Sequence, residues 1–266
     1  MLRKTMLIMA LLGVLCTWAE AREVVFAVPQ EAYPPVHSVH EDGTVVGFSH
    51  ELMQAICRHA GITPVMKATP WGTLFDDIAA GKFAASIAAS TITDARKKKV
   101  DFSDMYFEAE ETVVVRKGEG IRKEKDLTNK KIGAWGATTN FEACRTFARF
   151  NNAKSVVPFP DTETAMLGLS RGTVDAVFTD SPTAVSYVFE NERFAGKLEL
   201  AFTLPATIPD LFGFAVNKKE TELLAQINAG LKALRDSGEY DRLYTKWFPA
   251  LAKKDESLSW FKWLWK

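Results

Sequence analysis

Unbroken apolar runs alternate along this chain with segments whose apolar positions recur every three or four residues, and the alternation occurs twice in the same order. Val24–Val28 is apolar throughout, as a strand covered on both faces would be. Leu52, Met53, Ile56, Cys57 and Ala60 then form one helical stripe, with Ser49 as the expected N-cap and Gly61 as the stop. Thr63–Thr69 reads as a second strand. A short helix carries Leu74, Phe75 and Ile78 and stops at Gly81, and Phe83–Ser90 reads as a third strand.

The second pass begins with a strand over 131–136. Thr139-Asn140-Phe141-Glu142 fits a capping box that opens a helix with Phe141, Cys144, Phe147 and Phe150 on its apolar face. Ser155–Phe159 is a strand, Asp161 caps a helix with Ala165, Met166 and Leu169, and Val174–Asp180 is the last strand, with Pro182 where a helix begins. This order predicts an α/β fold of two lobes built on parallel sheets. Extended runs at Glu111–Arg116 and Phe212–Val216 join the lobes, and a long helix through Leu223, Ile227 and Leu234 follows. If the C-terminal helices pack back on the first lobe, lobe one is 22–110 with 208–266 and lobe two is 111–207. Both crossings then act as hinges. Closing a lobe-sized loop costs little, because its entropy grows only with the logarithm of length.

The first 21 residues follow another logic. Arg3 and Lys4 precede an uncharged apolar run from Met6 to Cys16, and Ala19-Glu20-Ala21 offers small residues at a cleavage site. The run has 11 residues, against the ~20 of a spanning helix, so it reads as a secretory signal cut after Ala21. Leu15 is too bulky for lipidation at Cys16. The mature chain, 22–266, is then expected to be exported. The 33 basic and 33 acidic side chains cancel, which removes any electrostatic case for nucleic acid as a partner. Cys57 and Cys144 lie on apolar helix faces, where two buried thiols are expected rather than a disulfide framework.

Ligands of open parallel sheets bind beyond the carboxyl ends of strands. Tyr33, Trp71, Ala89, Ser90, Thr91 and Arg96 fall there in the first lobe, and Trp135, Thr138, Thr139 and Asp180 in the second. One guanidinium, one carboxylate, several hydroxyls and aromatic walls suit an α-amino acid zwitterion. Arg96 would grip the α-carboxylate with help from Thr91 and the helix start at Thr138-Thr139, Asp180 would accept from the ammonium, and Tyr33 and Trp71 would sandwich the side chain. Each residue also has a plainer reading. Arg96 precedes Lys97-Lys98-Lys99 as on a solvated helix face, Asp180 suits a helix N-cap, and the aromatics suit a core.

Several strings carry a resemblance: Thr91-Ile92-Thr93-Asp94-Ala95-Arg96 before Asp101-Phe102-Ser103-Asp104, Val45-Val46-Gly47-Phe48, Trp71-Gly72-Thr73-Leu74, 133–139, 174–180, and 237–248. Together they resemble the periplasmic solute-binding proteins for polar amino acids, over essentially all of residues 24–248. The resemblance implies a type II periplasmic-binding-protein fold that closes on an amino acid, docks on an ABC transporter permease and needs no cofactor. It matches Arg96 to the carboxylate-binding arginine, Asp180 to the ammonium-binding aspartate, Tyr33 and Trp71 to the side-chain sandwich, and Thr91 and Thr139 to hydroxyl donors. Gln30 stands where relatives for basic or amide side chains often carry Asp, which favours a neutral polar or aromatic ligand. Ala89 replaces a common Gly, and Trp135 is larger than usual, so it narrows the pocket or stacks on the ligand.

Other clusters are weaker. His37 and His40 with Glu41 and Asp42 fit no firm metal spacing and read as a solvated loop. Glu108, Glu110 and Glu111 read as charged surface near the hinge. No nucleophile elbow, phosphate loop or dinucleotide fingerprint occurs. The basic aromatic tail at 259–266 resembles an interfacial membrane segment, with self-packing, dimerisation or a permease contact as alternatives. Two rival functions are an enzyme on this scaffold, such as a cyclohexadienyl dehydratase-like protein, and a ligand sensor. The enzyme needs a proton donor in the cleft beyond the gripping pair, and none is evident in the sequence.

Overall fold

Strand β1 (Arg22–Pro29) opens the computed structural model, which describes residues 22–204, 210–249 and 251. The leader at 1–21 and the tail at 259–266 lie outside the described residues. After β1 come a small hairpin, β2 (Ser38–Val39) and β3 (Val45–Val46), then helix α1 (Phe48–Ala60), β4 (Ile62–Thr69), α2 (Leu74–Ala79) and β5 (Ala85–Ser86). The chain continues through β6 (Ser90–Thr91), α3 (Asp94–Lys97), β7 (Asp101–Phe102), β8 (Phe107–Ala109) and β9 (Glu111–Arg116). A second α/β series follows as β10 (Lys131–Trp135), α4 (Thr139–Phe150), β11 (Ser155–Phe159), α5 (Thr162–Ser170), β12 (Ala176–Asp180), α6 (Ser181–Val185) and β13 (Leu198–Thr203). The chain returns through β14 (Asp210–Gly213) and β15 (Ala215–Val216) to α7 (Thr221–Asp236) and α8 (Glu239–Trp247).

Two five-stranded sheets result, in the orders β4-β1-β5-β15-β7 and β11-β10-β12-β9-β13, with a three-stranded sheet β6-β14-β8 between the chain's crossings. The apolar run of β1 is buried because parallel partners flank it, β4 on one edge and β5 on the other. The sheets are mixed rather than parallel throughout. In the second, β9 runs antiparallel to both β12 and β13, because the chain enters this sheet along a crossing rather than through a helix. The third expected strand is divided. After Ser86 the chain leaves the first sheet, and Ser90 and Thr91 pair instead with Gly213 and Phe212.

Helix starts differ from expectation in two places. Gly47, not Ser49, is the N-cap of α1; the Ser49 hydroxyl is fully buried 2.8 Å from that of Tyr106. Thr138, not Thr139, caps α4 by accepting from the Phe141 N–H at 3.1 Å, so the Thr139–Glu142 capping box does not form. Phe150 is 75% exposed, since nine residues on from Phe141 the helix has turned it roughly half a revolution off the stripe. Cys57 and Cys144 are buried and unpaired, and burial raises the Cys57 thiol to about 12.

Gly47 has φ 127° and ψ 169°, a region open essentially to glycine alone, and a Cβ there would collide with the Val36 carbonyl. Gly47→Ala is therefore expected to cost about 2–4 kcal/mol, read as a lower midpoint in urea unfolding.

Candidate functional site

Between the segments that flank the two sheets lies a cleft lined by Tyr33, Trp71, Ala89, Thr91 and Arg96 on one side and by Trp135, Thr138, Thr139 and Asp180 on the other. Of the residues singled out in the sequence, Ser90 alone does not line it; its side chain is fully buried. His37, Asn140 and Phe212 complete the wall.

Arg96 sits on α3, whose N-cap Thr93 accepts from the Arg96 N–H at 3.2 Å. This one-turn helix aims the guanidinium back into the cleft, away from the exposed Lys97, Lys98 and Lys99. Arg96 Nη1 donates to the Thr91 carbonyl at 2.8 Å, and Cζ stands 4.5 Å from the Phe75 ring centroid and 5.3 Å from that of Trp71. Burial lowers its pKa to about 10 against the opposing pull of Asp210, and it remains a cation at neutral pH.

Hydroxyls and backbone tie the two sides together. Because Thr138 takes the capping role, the Thr139 hydroxyl is free to meet that of Thr91 at 2.9 Å. Trp71 Nε1 donates to the Ala137 carbonyl at 3.1 Å, and Ala137 holds a left-handed φ of 59°. The Trp71 backbone N–H donates to Glu31 Oε2 at 2.9 Å, which fixes the start of the turn that carries the indole.

At the back of the cleft the antiparallel register of β9 and β12 sets Glu111 directly opposite Asp180. Asp210, at the start of β14, joins them, and one carboxylate oxygen from each of the three lies within 4.8 Å of the other two. Asn140 Nδ2 donates to Asp180 Oδ1 at 2.7 Å and to Glu111 Oε2 at 3.0 Å. Burial first, and then the charge of Asp210, raises both Glu111, to about 8, and Asp180. Glu111 thus keeps a proton at neutral pH, hydrogen-bonded to Asp210. Among the described residues these are the groups whose oxygens converge closely enough to hold a cation, and the Asn140 amide already occupies two of them. Asp180 stands at the N-cap of α6, yet its side chain makes no capping bond and is committed to the cluster.

Two earlier expectations fail here. Glu111 is not charged surface, because β9 lies inside the second sheet, between β12 and β13. His37 is not a solvated loop residue; pairing with Tyr33 folds it back until it is 2% exposed. Its Nε2 lies 3.1 Å from the Glu31 carbonyl, and burial lowers its pKa to about 4, so it is neutral at physiological pH. Asn140, Asp210 and Phe212 carried no signal in the sequence as cleft residues.

The model of the bacterial extracellular solute-binding proteins, family 3, matches residues 25–250. The chain is 32% identical over 218 residues to a probable histidine-binding protein of Neisseria gonorrhoeae, covering 81% of this chain and 80% of that one. A solved ancestral arginine-binding protein bound to arginine superposes with a TM-score of 0.76 at 33% identity, covering 86% of this chain and 99% of the other. An ancestral amino acid-binding protein that is a precursor of cyclohexadienyl dehydratase superposes with a TM-score of 0.73 at 29% identity, over 85% and 95% of the two chains.

Glu111 holds its proton in the folded state up to about pH 8, but in the unfolded chain only up to about 4.5. The stability it contributes is present in full below the lower value and is lost as pH rises through the upper one. Glu111→Gln, which keeps a donor toward Asp210, should flatten the stability profile between these values. At pH 8 it should add about 1–3 kcal/mol, measured by urea unfolding across the pH range.

Proposed function

Since the chain belongs to the bacterial extracellular solute-binding proteins of family 3 and has their type II fold, we propose that it captures an L-amino acid between two lobes and delivers it to an ABC importer. The observation that carries this is the pairing, across one aromatic-walled cleft, of the Arg96 guanidinium with the carboxylates around Asp180. The guanidinium takes the α-carboxylate in a bidentate pair, and the hydroxyls of Thr91 and Thr139 exchange their mutual bond for bonds to the same group. The ammonium enters at Asp180 and displaces the Asn140 amide, adding a positive charge where three acidic groups converge. Contacts made to both sides at once favour the closed form over the open one, which is how a ligand shifts such an equilibrium.

The lobes of this reading are 22–110 with 208–266 and 111–207, hinged where β8 leads into β9 and where the chain returns at β14. The protein is exported, cut after Ala21 and held in the periplasm; no described helix is long and apolar enough to cross a membrane. It is not an enzyme in this reading. One observation favours the alternative: Glu111 supplies the protonated carboxyl that a dehydratase acting on a cyclohexadienyl acid would need, and one relative is the precursor of such an enzyme.

In a thermal-shift screen of ligand-stripped protein against the L-amino acids, a ligand at about 100 times its Kd should raise Tm by about 5–10 °C. Arg96→Ala should remain folded and lose affinity by at least about 100-fold by calorimetry, and affinity retained in that variant rejects the assignment. Incubation with a cyclohexadienyl acid should leave it unchanged; turnover would establish the enzyme instead.

A further inference from the structure

Strand β10 belongs to the second sheet, yet the side chain at its end, Trp135, packs into the hydrophobic cluster of the first. Its indole centroid stands 5.7 Å from the ring of Tyr33 and 5.6 Å from that of Trp71, tilted by 48° and 47°. It is 9% exposed. The space the capture reading gives to a ligand's side chain is therefore filled by the protein's own ring. The void that remains in the cleft is ≈ 20 Å³, about room for one water molecule.

The backbone beneath this ring is held in place. The Thr138 hydroxyl donates to the Trp135 carbonyl at 2.6 Å, and the next N–H, of Gly136, donates to the Phe159 carbonyl at 2.8 Å. Trp71, one wall of the slot, is bonded to Ala137 two residues on.

On the strength of the capture reading, we propose that Trp135 is the specificity-determining residue that limits the length of the ligand's side chain. A short side chain asks the indole to move least. A bulky one must expel it and forfeit its packing against Tyr33 and Trp71.

The test is calorimetric titration of the wild type, Trp135→Ala and Trp135→Leu with a size series: glycine, alanine and serine against phenylalanine, tryptophan and arginine. In the wild type the short members should bind more tightly than the bulky ones. Shortening residue 135 should raise affinity for at least one bulky member by about tenfold or more relative to the short ones, and a size order that both variants leave as it is in the wild type overturns the proposal. Trp135→Leu keeps much of the packing and serves if Trp135→Ala fails to fold. A wild type that prefers bulky side chains overturns the proposal without any variant. Loss of bulky ligands on truncation also overturns it, because the indole is then a platform for the ligand. A folded wild type that binds no amino acid overturns the capture reading and this inference with it, whereas binding in the wrong size order overturns this inference alone.

Discussion

Three carboxyl groups that each bring an oxygen within 4.8 Å of the other two cannot all be ionised in a site largely removed from water. The back of the cleft is organised by that constraint. The register that pairs Glu111 with Asp180 forces two acidic side chains together across strands, where like charges repel. The repulsion is relieved in three ways: a proton retained on Glu111, the amide of Asn140 donating to two of the groups, and the Arg96 charge acting on Asp210. Each is weaker than a full positive charge placed among the oxygens. The cluster is thus a neutralised acceptor that gains most from a cationic group such as an ammonium, and the surrounding fold keeps it dry enough for the gain to be large.

The opposite end of the cleft is governed by aromatic surface. Arg96 is held over Phe75 and Trp71, so the cation that would take a carboxylate is partly desolvated and oriented beforehand. Tyr33, Trp71 and Trp135 come from three separate stretches of chain, yet they meet as one cluster. The cross-cleft bonds from Trp71 to Ala137 and from Thr91 to Thr139 use the same groups that a bound zwitterion and its side chain would engage. In the capture reading, closure and recognition therefore draw on one set of atoms.

Much of this was legible in the sequence, for local reasons. The repeated strand–helix order follows from hydrophobic periodicity, and the helix end at Gly61 follows from the left-handed backbone that glycine tolerates. The cleft residues at strand ends followed from the topology of parallel sheets. What escaped depends on pairing between distant segments. Glu111 looked like surface because nothing local reveals that β9 is sandwiched between β12 and β13. His37 looked solvated because its bridge to Tyr33 is a tertiary fact. At α4, Thr138 and Thr139 were equally good caps by type, and only the folded backbone separates the residue that holds the helix from the one whose hydroxyl meets Thr91.

The two buried cysteines have a bearing on how such a molecule is made. With the Cys57 thiol raised to about 12, on the order of one molecule in 10⁵ carries a thiolate there at pH 7, and burial pushes Cys144 up as well. Neither sulfur is a competent partner for thiol–disulfide exchange while the protein is folded. Among the described residues the two thiols are then expected to stay as they are on the reducing and the oxidising side of a membrane. Recombinant material from a reducing cytoplasm should therefore carry the same two thiols at Cys57 and Cys144 as material recovered after export.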